Sequence, residues 1–91
     1  MASAQYLQIT FQFKGSNKIK ELETIFSKAL DWIRITPNVW ILWTTSTPAQ
    51  WYRRLKPILG SDDSMYIFGI DNNIRHGWGP KWVWEWLDKK R

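Results

Sequence analysis

Hydrophobic and polar residues alternate near the start of the chain. In the stretch "YLQITFQFK", residues 6–14, Leu7, Ile9, Phe11 and Phe13 fall on one face, and mostly polar side chains fall on the other. A period of two, carried by β-branched and aromatic residues, predicts a strand with one buried face.

Helical spacing replaces the alternation after Gly15. Ser16 is the predicted N-cap, because its hydroxyl can accept a hydrogen bond from an early helical N–H. Apolar residues then recur every three or four positions, which predicts an amphipathic helix whose stripe packs on a sheet. The stripe consists of Ile19, Leu22, Ile25, Phe26, Ala29 and Leu30, with Ile33 at its far end.

Two further strands and a second helix follow. Pro37 and Asn38 form a turn signal between strands near Trp32–Ile35 and Val39–Thr45, which predicts a tight hairpin. Thr47 then starts a helix as its cap, with Pro48 at the first helical position and Gln50 completing a capping box. The apolar stripe of this helix comprises Trp51, Tyr52, Leu55, Ile58 and Leu59. Pro57 is expected to end or kink the helix near Lys56.

The last predicted strand of the sheet is "MYIFGI", Met65–Ile70. Its nearly continuous apolar character predicts that both of its faces are covered. The order β-α-β-β-α-β over residues 1–91 predicts one domain of the α+β class, a ferredoxin-like antiparallel sheet with two helices on one face. The opposite face must then be polar, meet a partner, or receive the C-terminal segment.

That segment is rich in tryptophan, with Trp78, Trp82, Trp84 and Trp86 close together. As a strand, the last three would share one face. As a helix that starts at Pro80, Trp82 and Trp86 join an apolar stripe while Trp84 turns away. The proline start and the basic end favour the helix. We therefore expect Trp78, Trp82 and Trp86 at the core or a dimer interface, and an exposed Trp84 available to a ligand.

Composition adds a bias toward anionic partners. The 91 residues include 13 Lys and Arg against 8 Asp and Glu, which gives a net charge of +5. A positive field favours nucleic acid, nucleotides or anionic lipid. The candidate phosphate-binding residues lie beside aromatic rings or glycines and comprise Arg53, Arg54, Lys56, Arg75 and His76, with Trp84 as the stacking ring. The alternative is a solvated basic face on an amphipathic helix.

Other chemistry has little support in the sequence. There is no cysteine and only one histidine, His76, so neither a thiolate site nor a nucleophile–base pair is expected. Asp62 and Asp63 are expected to satisfy N–H groups of their own turn. No phosphate-binding or RNA-recognition motif is present. We expect no metal and no cofactor. The absence of a leader-like or membrane-spanning stretch predicts a cytoplasmic protein without a membrane partner, although the C-terminal helix could also rest on a membrane surface.

Three stretches together resemble a known family. These are "YLQITFQFKG", "NVWILWTTSTPAQWYRRLKPIL", and "DDSMYIFGI" followed by "WGPKWVWEWL". They are similar to the first strand, the central strand with the second helix, and the acidic turn with a Trp-containing C-terminus in the SinR-like branch of the CRISPR-associated dimeric adaptation nuclease family. The resemblance implies a ferredoxin-like fold and a symmetric homodimer. It also implies a metal-dependent nuclease, a non-catalytic DNA-binding subunit, or a toxin–antitoxin component.

One departure from that family pattern decides the expected activity. Nuclease members carry an Asp at the end of the first strand, where this chain has Gln12 in the run "ITFQF". An amide is a poorer ligand for a hard divalent cation than a carboxylate. We therefore expect a non-catalytic homodimer that binds phosphate-bearing ligands, either nucleic acid or a signalling nucleotide such as a cyclic one, in phage defence or counter-defence. The alternatives are a divergent nuclease that uses Asp62, Asp63 or Asp71, and a protein-interaction component such as an antitoxin or inhibitor.

Overall fold

The computed structural model describes residues 3–15 and 18–91. It contains one sheet of four strands, β1 (Gln5–Gln12), β2 (Asp31–Thr36), β3 (Val39–Thr44) and β4 (Ser64–Ile70). The order across the sheet is β2-β3-β1-β4, and all neighbouring strands are antiparallel. Strand β3 thus lies between β1 and β2, as the split β-α-β arrangement requires. The predicted α+β, ferredoxin-like fold class is confirmed.

The first helix is shorter than the apolar stripe predicted. Helix α1 (Ile19–Phe26) buries Leu22 and Phe26. Two i→i+3 backbone hydrogen bonds, from Lys28 to Ile25 and from Ala29 to Phe26, then tighten and end the helical run. The prediction that Leu30 and Ile33 continue the helical stripe is therefore wrong, since Leu30 is exposed and Ile33 belongs to β2. The predicted cap, Ser16, lies outside the described residues.

The second helix, α2 (Pro48–Leu55), begins as predicted. Gln50 N donates to Thr47 Oγ1 at 3.2 Å, and Thr47 N donates to Gln50 Oε1 at 2.8 Å, which completes the capping box. A short 3₁₀ turn (Lys56–Ile58) replaces the α-helix at Pro57, because proline has no N–H to continue the ladder. Tyr52, expected in the buried stripe, is instead exposed on the outer side of α2.

The main core lies between the sheet and helices α1 and α2. Two buried indoles form hydrogen bonds with side-chain oxygens there. Trp51 Nε1 donates to Thr44 Oγ1, and Trp40 Nε1 donates to Glu23 Oε2, both at 3.1 Å. These hydrogen bonds remove the cost of burying the indole N–H groups. The fully buried set is Leu7, Ile9, Phe11, Leu22, Phe26, Trp40, Leu42, Trp51 and Leu55.

The C-terminal segment forms a third helix, α3 (Lys81–Leu87), on the other face of the sheet. Its Trp86 and Leu87 pack against Ile41 of β3 in a second apolar cluster. Backbone contacts of α3 with the sheet run mainly to β2. The helical interpretation is confirmed, and α3 covers the β2–β3 half of this face. We call the face the α3 face.

Ile70 of β4 packs with the second cluster, but Tyr66 and Phe68 lie beyond α3, which corrects the prediction that both faces of β4 are covered. Tyr66 and Phe68 are 56% and 57% exposed. The register places Tyr66 opposite Thr10 and Phe68 opposite Gln8, so these rings share the α3 face with the polar side chains of β1. The part of the α3 face around Tyr66 and Phe68 is therefore open and aromatic.

Of the two tryptophans that flank the helical stripe, Trp84 is placed differently from the prediction, and Trp82 does not reach the core. Trp82 is 50% exposed, whereas Trp84 is partly buried and packs with the second cluster. At 100° per residue, positions 82 and 84 lie at similar angles on either side of the stripe formed by Val83, Trp86 and Leu87. Helical spacing alone cannot distinguish them.

Among residues 3–15 and 18–91, none of the helices has the length and apolar character needed to span a membrane.

Candidate functional site

A cleft of about 530 Å³ opens on the α3 face. Its floor is formed by Gln8 of β1, Ile41 of β3 and Ile70 of β4, and α3 supplies one wall through Val83 and Trp84. The segment of residues 71–80, between β4 and α3, forms the opposite wall. We call this the sheet-face cleft. Apolar side chains dominate its floor and polar groups lie at its rim, which is typical of small-ligand sites.

The 71–80 segment is fixed to α3 by side-chain contacts. It begins with a turn in which Asn73 N donates to Asp71 Oδ1 at 2.9 Å. Asn72 Nδ2 then donates to the backbone carbonyl oxygen of Leu87, at the end of α3, at 2.6 Å. Arg75 forms an ion pair with Asp88 and donates to Asn72 Oδ1 at 3.1 Å. These contacts hold the cleft's outer wall against the helix that forms its inner wall.

Trp84 supports this wall. The guanidinium of Arg75 lies 5.8 Å from the centroid of the Trp84 ring. The backbone at Gly77 passes so close to this ring that a Cβ at position 77 would lie 3.3 Å from Trp84 Cη2. Glycine is therefore the residue that lets the segment pass over the indole without displacing it. Trp84 lines the cleft as a packed ring, in contrast to the predicted free one.

Two exposed rings of β4 lie on the same sheet face as the cleft. Phe68 lies opposite Gln8, which is on the cleft floor, and Tyr66, opposite Thr10, forms the next pair on the same sheet face. Trp78 lines the cleft from the 71–80 segment, and its side chain is fully exposed. Aromatic planes next to amide and hydroxyl groups can stack on flat rings and form hydrogen bonds to their edges. We call Tyr66, Phe68 and Trp78 the aromatic platform.

The predicted ligand-binding residues fall into two groups that the fold separates. Arg75, His76 and Trp84 all line the sheet-face cleft. Arg53, Arg54 and Lys56 lie on or just after α2, which packs on the opposite side of the sheet. The structure therefore does not bring the six residues together at one site.

Arg54 contributes to packing more than to an open basic surface. Its Nη1 donates to Ser46 Oγ at 3.0 Å, and its guanidinium lies 4.7 Å from the centroid of the buried Trp51 ring. Arg53 and Lys56 are exposed. Arg53 and Lys56 thus lie on a solvated basic surface, the alternative that the amphipathic pattern left open.

The predicted dimer-interface residues also separate. Trp78 and Trp82 are exposed, but Trp86 is only 6% exposed and is buried within its own chain. Trp86 Nε1 donates to Asp31 Oδ2 at 2.9 Å. The assignment of Trp86 to a subunit interface is corrected, because its ring joins the second cluster that holds α3 on the sheet.

Asp31, at the start of β2, is contacted by three residues of the C-terminal segment, Trp86, Lys89 and Arg91. Its Oδ2 accepts from Trp86 Nε1 and from Arg91 Nη2 at 3.1 Å, and Lys89 Nζ lies 3.5 Å away. Burial raises the pKa of Asp31, but the hydrogen bonds from Arg91 and from Trp32 N–H, with the charge of Lys89, outweigh it. The net pKa lies below the ordinary value of 3.8, so the carboxylate is ionised at neutral pH.

The acidic turn has a structural role. Asp63 accepts hydrogen bonds from Lys14 N and Gly60 N, both at 2.8 Å, and these two bonds lower its pKa below the ordinary value. The expectation that this turn's carboxylates satisfy its own N–H groups is confirmed for Asp63 with Gly60 N, whereas Lys14 N belongs to the segment after β1. Gln12 ends β1 opposite Ser64. Within residues 3–15 and 18–91, no group of three His, Asp or Glu side chains could hold a metal ion.

Sequence reasoning missed two features of the α3 face. Tyr66 and Phe68 were expected to be covered, although their i, i+2 spacing in β4 is the pattern of one strand face. The cluster around Asp31, Tyr6, Trp43 and Arg91 joins four segments of the chain, namely β1, β2, β3 and the residues after α3. No local pattern indicates such a contact, since it depends on where α3 docks.

Comparisons with known proteins returned no match: no protein-family model, no curated protein and no solved structure matches this chain at a significant level. The family resemblance of the three stretches therefore stays an expectation.

Proposed function

We propose that this chain is a non-catalytic binding module for phosphate-bearing ligands that carry a base, nucleic acid or a nucleotide, and that it binds them on the α3 face. The observation that carries the proposal is the aromatic platform beside the sheet-face cleft. Tyr66 and Phe68 are more than half exposed on one strand face, where a folded domain gains nothing from leaving rings in water.

The polar groups of the platform suit base edges. Gln8 and Thr10 lie directly opposite Phe68 and Tyr66, so an amide and a hydroxyl stand beside the two rings. A base stacked on either ring would have both donors and acceptors within reach at its edge. Gln8 Nε2 already donates to Thr10 Oγ1 at 3.4 Å, and the second amide hydrogen and Oε1 of Gln8, with the Thr10 hydroxyl hydrogen, can bind a base edge.

The net charge of +5 supports a phosphate-bearing ligand over a neutral ring compound. His76 at the cleft rim is exposed and free to face the ligand backbone. Arg75 contributes less, because it is paired with Asp88. The main electrostatic contribution to binding is then the long-range attraction between the net positive charge of the chain and the phosphates of the ligand. This attraction weakens as the salt concentration rises.

The test is a binding titration with labelled single-stranded RNA and DNA and a panel of nucleotides at low salt. Tyr66→Ser and Phe68→Ser should each lose about 1–3 kcal/mol of binding free energy if their rings stack on a base. Tyr52→Ser is the matched control, since Tyr52 is exposed to a similar extent on α2, on the other side of the sheet. Absence of saturable binding to every probe would exclude the proposal, as would equal losses in Tyr52→Ser and Tyr66→Ser.

A second candidate, a homodimer, is favoured by the same exposed surface. Ile74 extends this surface beyond the platform, and both Ile74 and the platform residue Trp78 are highly exposed. Apolar surfaces of this kind are typical of contacts with a second protein. Native mass spectrometry should show a dimer that Trp78→Ser weakens and Tyr52→Ser does not. A monomer at all concentrations would exclude the homodimer.

A role in phage defence or counter-defence, and cytoplasmic location, stay predictions.

A further inference from the structure

Three aromatic rings surround the guanidinium of Arg91 at a site separate from the cleft. Its Cζ lies 4.6 Å from the ring centroid of Trp86, 5.6 Å from that of Trp43 and 6.0 Å from that of Tyr6. The rings also contact one another, with centroids 4.6 Å apart for Tyr6–Trp43 and 5.9 Å apart for Tyr6–Trp86. Several rings around one cation form an aromatic cage.

Directed polar contacts complete the cage. Arg91 Nη2 donates to Asp31 Oδ2 at 3.1 Å, and Arg91 Nε donates to the Tyr6 hydroxyl at 3.1 Å. The cage therefore offers the rings of Trp86 and Trp43, the carboxylate of Asp31, and the hydroxyl of Tyr6 as an acceptor at the edge of its ring. A guanidinium uses all of these, whereas a quaternary ammonium has no N–H and would leave both acceptors without a donor.

The cage walls are held independently of Arg91. Tyr6 and Trp43 are cross-strand neighbours in the centre of the sheet. Trp86 is fixed by the packing of α3 and by its own hydrogen bond to Asp31. Withdrawal of the Arg91 side chain would therefore leave an electron-rich site with its shape already formed.

An adjoining cavity gives access to this site. It has a volume of about 420 Å³ and is lined by Tyr6, Trp43, Lys89 and Arg91, among others. The Arg91 side chain itself is only 12% exposed, so it closes the site in the present arrangement.

We propose that Tyr6, Trp43, Trp86 and Asp31 form a binding site for a guanidinium group, which Arg91 occupies within the chain and which an arginine side chain from a partner polypeptide occupies in its place. Arg91 acts as a competitor, because an external ligand binds only the fraction of molecules whose cage is vacant. If Arg91 fills the cage nine-tenths of the time, removing it strengthens external binding about tenfold. This site does not depend on the proposed nucleotide function.

The experiment uses the full chain with Arg91→Ala and ethylguanidinium at millimolar concentration as the probe. Loss of the Arg91 contacts should lower the melting temperature, and ethylguanidinium should restore it saturably and change the tryptophan fluorescence. A Gly-Arg-Gly amide distinguishes an arginine within a polypeptide from the bare group. Ethylurea, a neutral analogue of similar shape, should have no effect, and tetramethylammonium should have a weaker one than ethylguanidinium.

Two controls make the result decisive. Arg91→Ala combined with Asp31→Asn should lose the response, while the unmodified chain should respond only at about tenfold higher probe concentration. The proposal is overturned if Arg91→Ala responds equally to ethylguanidinium and ethylurea, or if the double variant responds as strongly as the single one. If Arg91→Ala is largely unfolded, restoration of folding by the probe is the same test, and no restoration overturns the proposal.

Discussion

Replacement of Trp86 by phenylalanine tests whether α3 is a structural part of the fold. The Trp86 ring is 6% exposed and packs with Ile41 and Leu87, and its Nε1 donates to Asp31 at 2.9 Å. Phenylalanine keeps one ring in place but removes two carbons and the N–H. At roughly 0.8 kcal/mol per buried carbon, the smaller ring costs about 1.5 kcal/mol.

The lost hydrogen bond adds to this cost. Bonds to charged groups contribute about 1.5–3 kcal/mol, and about 1 kcal/mol is a suitable value here because Asp31 is a third exposed and keeps its bond from Arg91. The free energy of unfolding should therefore fall by about 2.5 kcal/mol in Trp86→Phe. For a domain of this length that corresponds to a decrease in melting temperature of roughly 10–20 °C.

Trp82→Phe is the matched control for this prediction. Trp82 lies one helical turn earlier on α3 and is 50% exposed, so the same change should alter stability by less than about 0.5 kcal/mol. Urea unfolding followed by far-UV circular dichroism measures both variants without depending on tryptophan emission. Equal destabilisation of the two variants, or no measurable loss in Trp86→Phe, would refute the docking of α3 described above.

Two further predictions concern the cap of α2 and the pH dependence of stability. Thr47→Ala removes the capping box and should lower the free energy of unfolding by about 1 kcal/mol in urea unfolding, with Ala49→Ser on the exposed first turn as a near-neutral comparison. The pKa of Asp31 is lower in the folded chain than its ordinary value of 3.8, so the unfolded chain takes up its proton first as the pH falls. The stability that Asp31 contributes is therefore complete above about pH 4 and is lost as the pH falls through the lowered folded pKa. Asp31→Asn should be less stable at neutral pH and should flatten the acid side of the stability profile; an unchanged profile would contradict the role of Asp31.

The sequence predicted those parts of the fold that local patterns determine. Alternation predicted β1, the Pro37–Asn38 turn predicted the β2–β3 hairpin, and Thr47 with Gln50 predicted the start of α2. Each of these signals depends on neighbours within a few residues, so no tertiary information is needed to interpret it.

The misplaced residues depend on packing between distant segments. Trp82 and Trp84 are equivalent by helical spacing, and only the passage of the 71–80 segment over Trp84 distinguishes them. Tyr66 and Phe68 looked covered because Met65–Ile70 is apolar throughout, but the seven-residue helix α3 packs with β4 at Ile70 and leaves the two rings exposed. The candidate site was predicted in part, since Arg75 and His76 do line the cleft, while Arg53 and Lys56 lie on the far side of the sheet.

Amide chemical-shift mapping by NMR tests the central claim most directly, because it reports which face of the sheet a ligand contacts. Titration with a short single-stranded oligonucleotide should shift the resonances of Gln8, Thr10, Tyr66 and Phe68 together with the indole of Trp78, in proportion to saturation. The resonances of Arg53 and Lys56 on the opposite side should move little. Shifts confined to α2, or no saturable shifts with any oligonucleotide or nucleotide, would contradict the assignment of the α3 face as the binding surface.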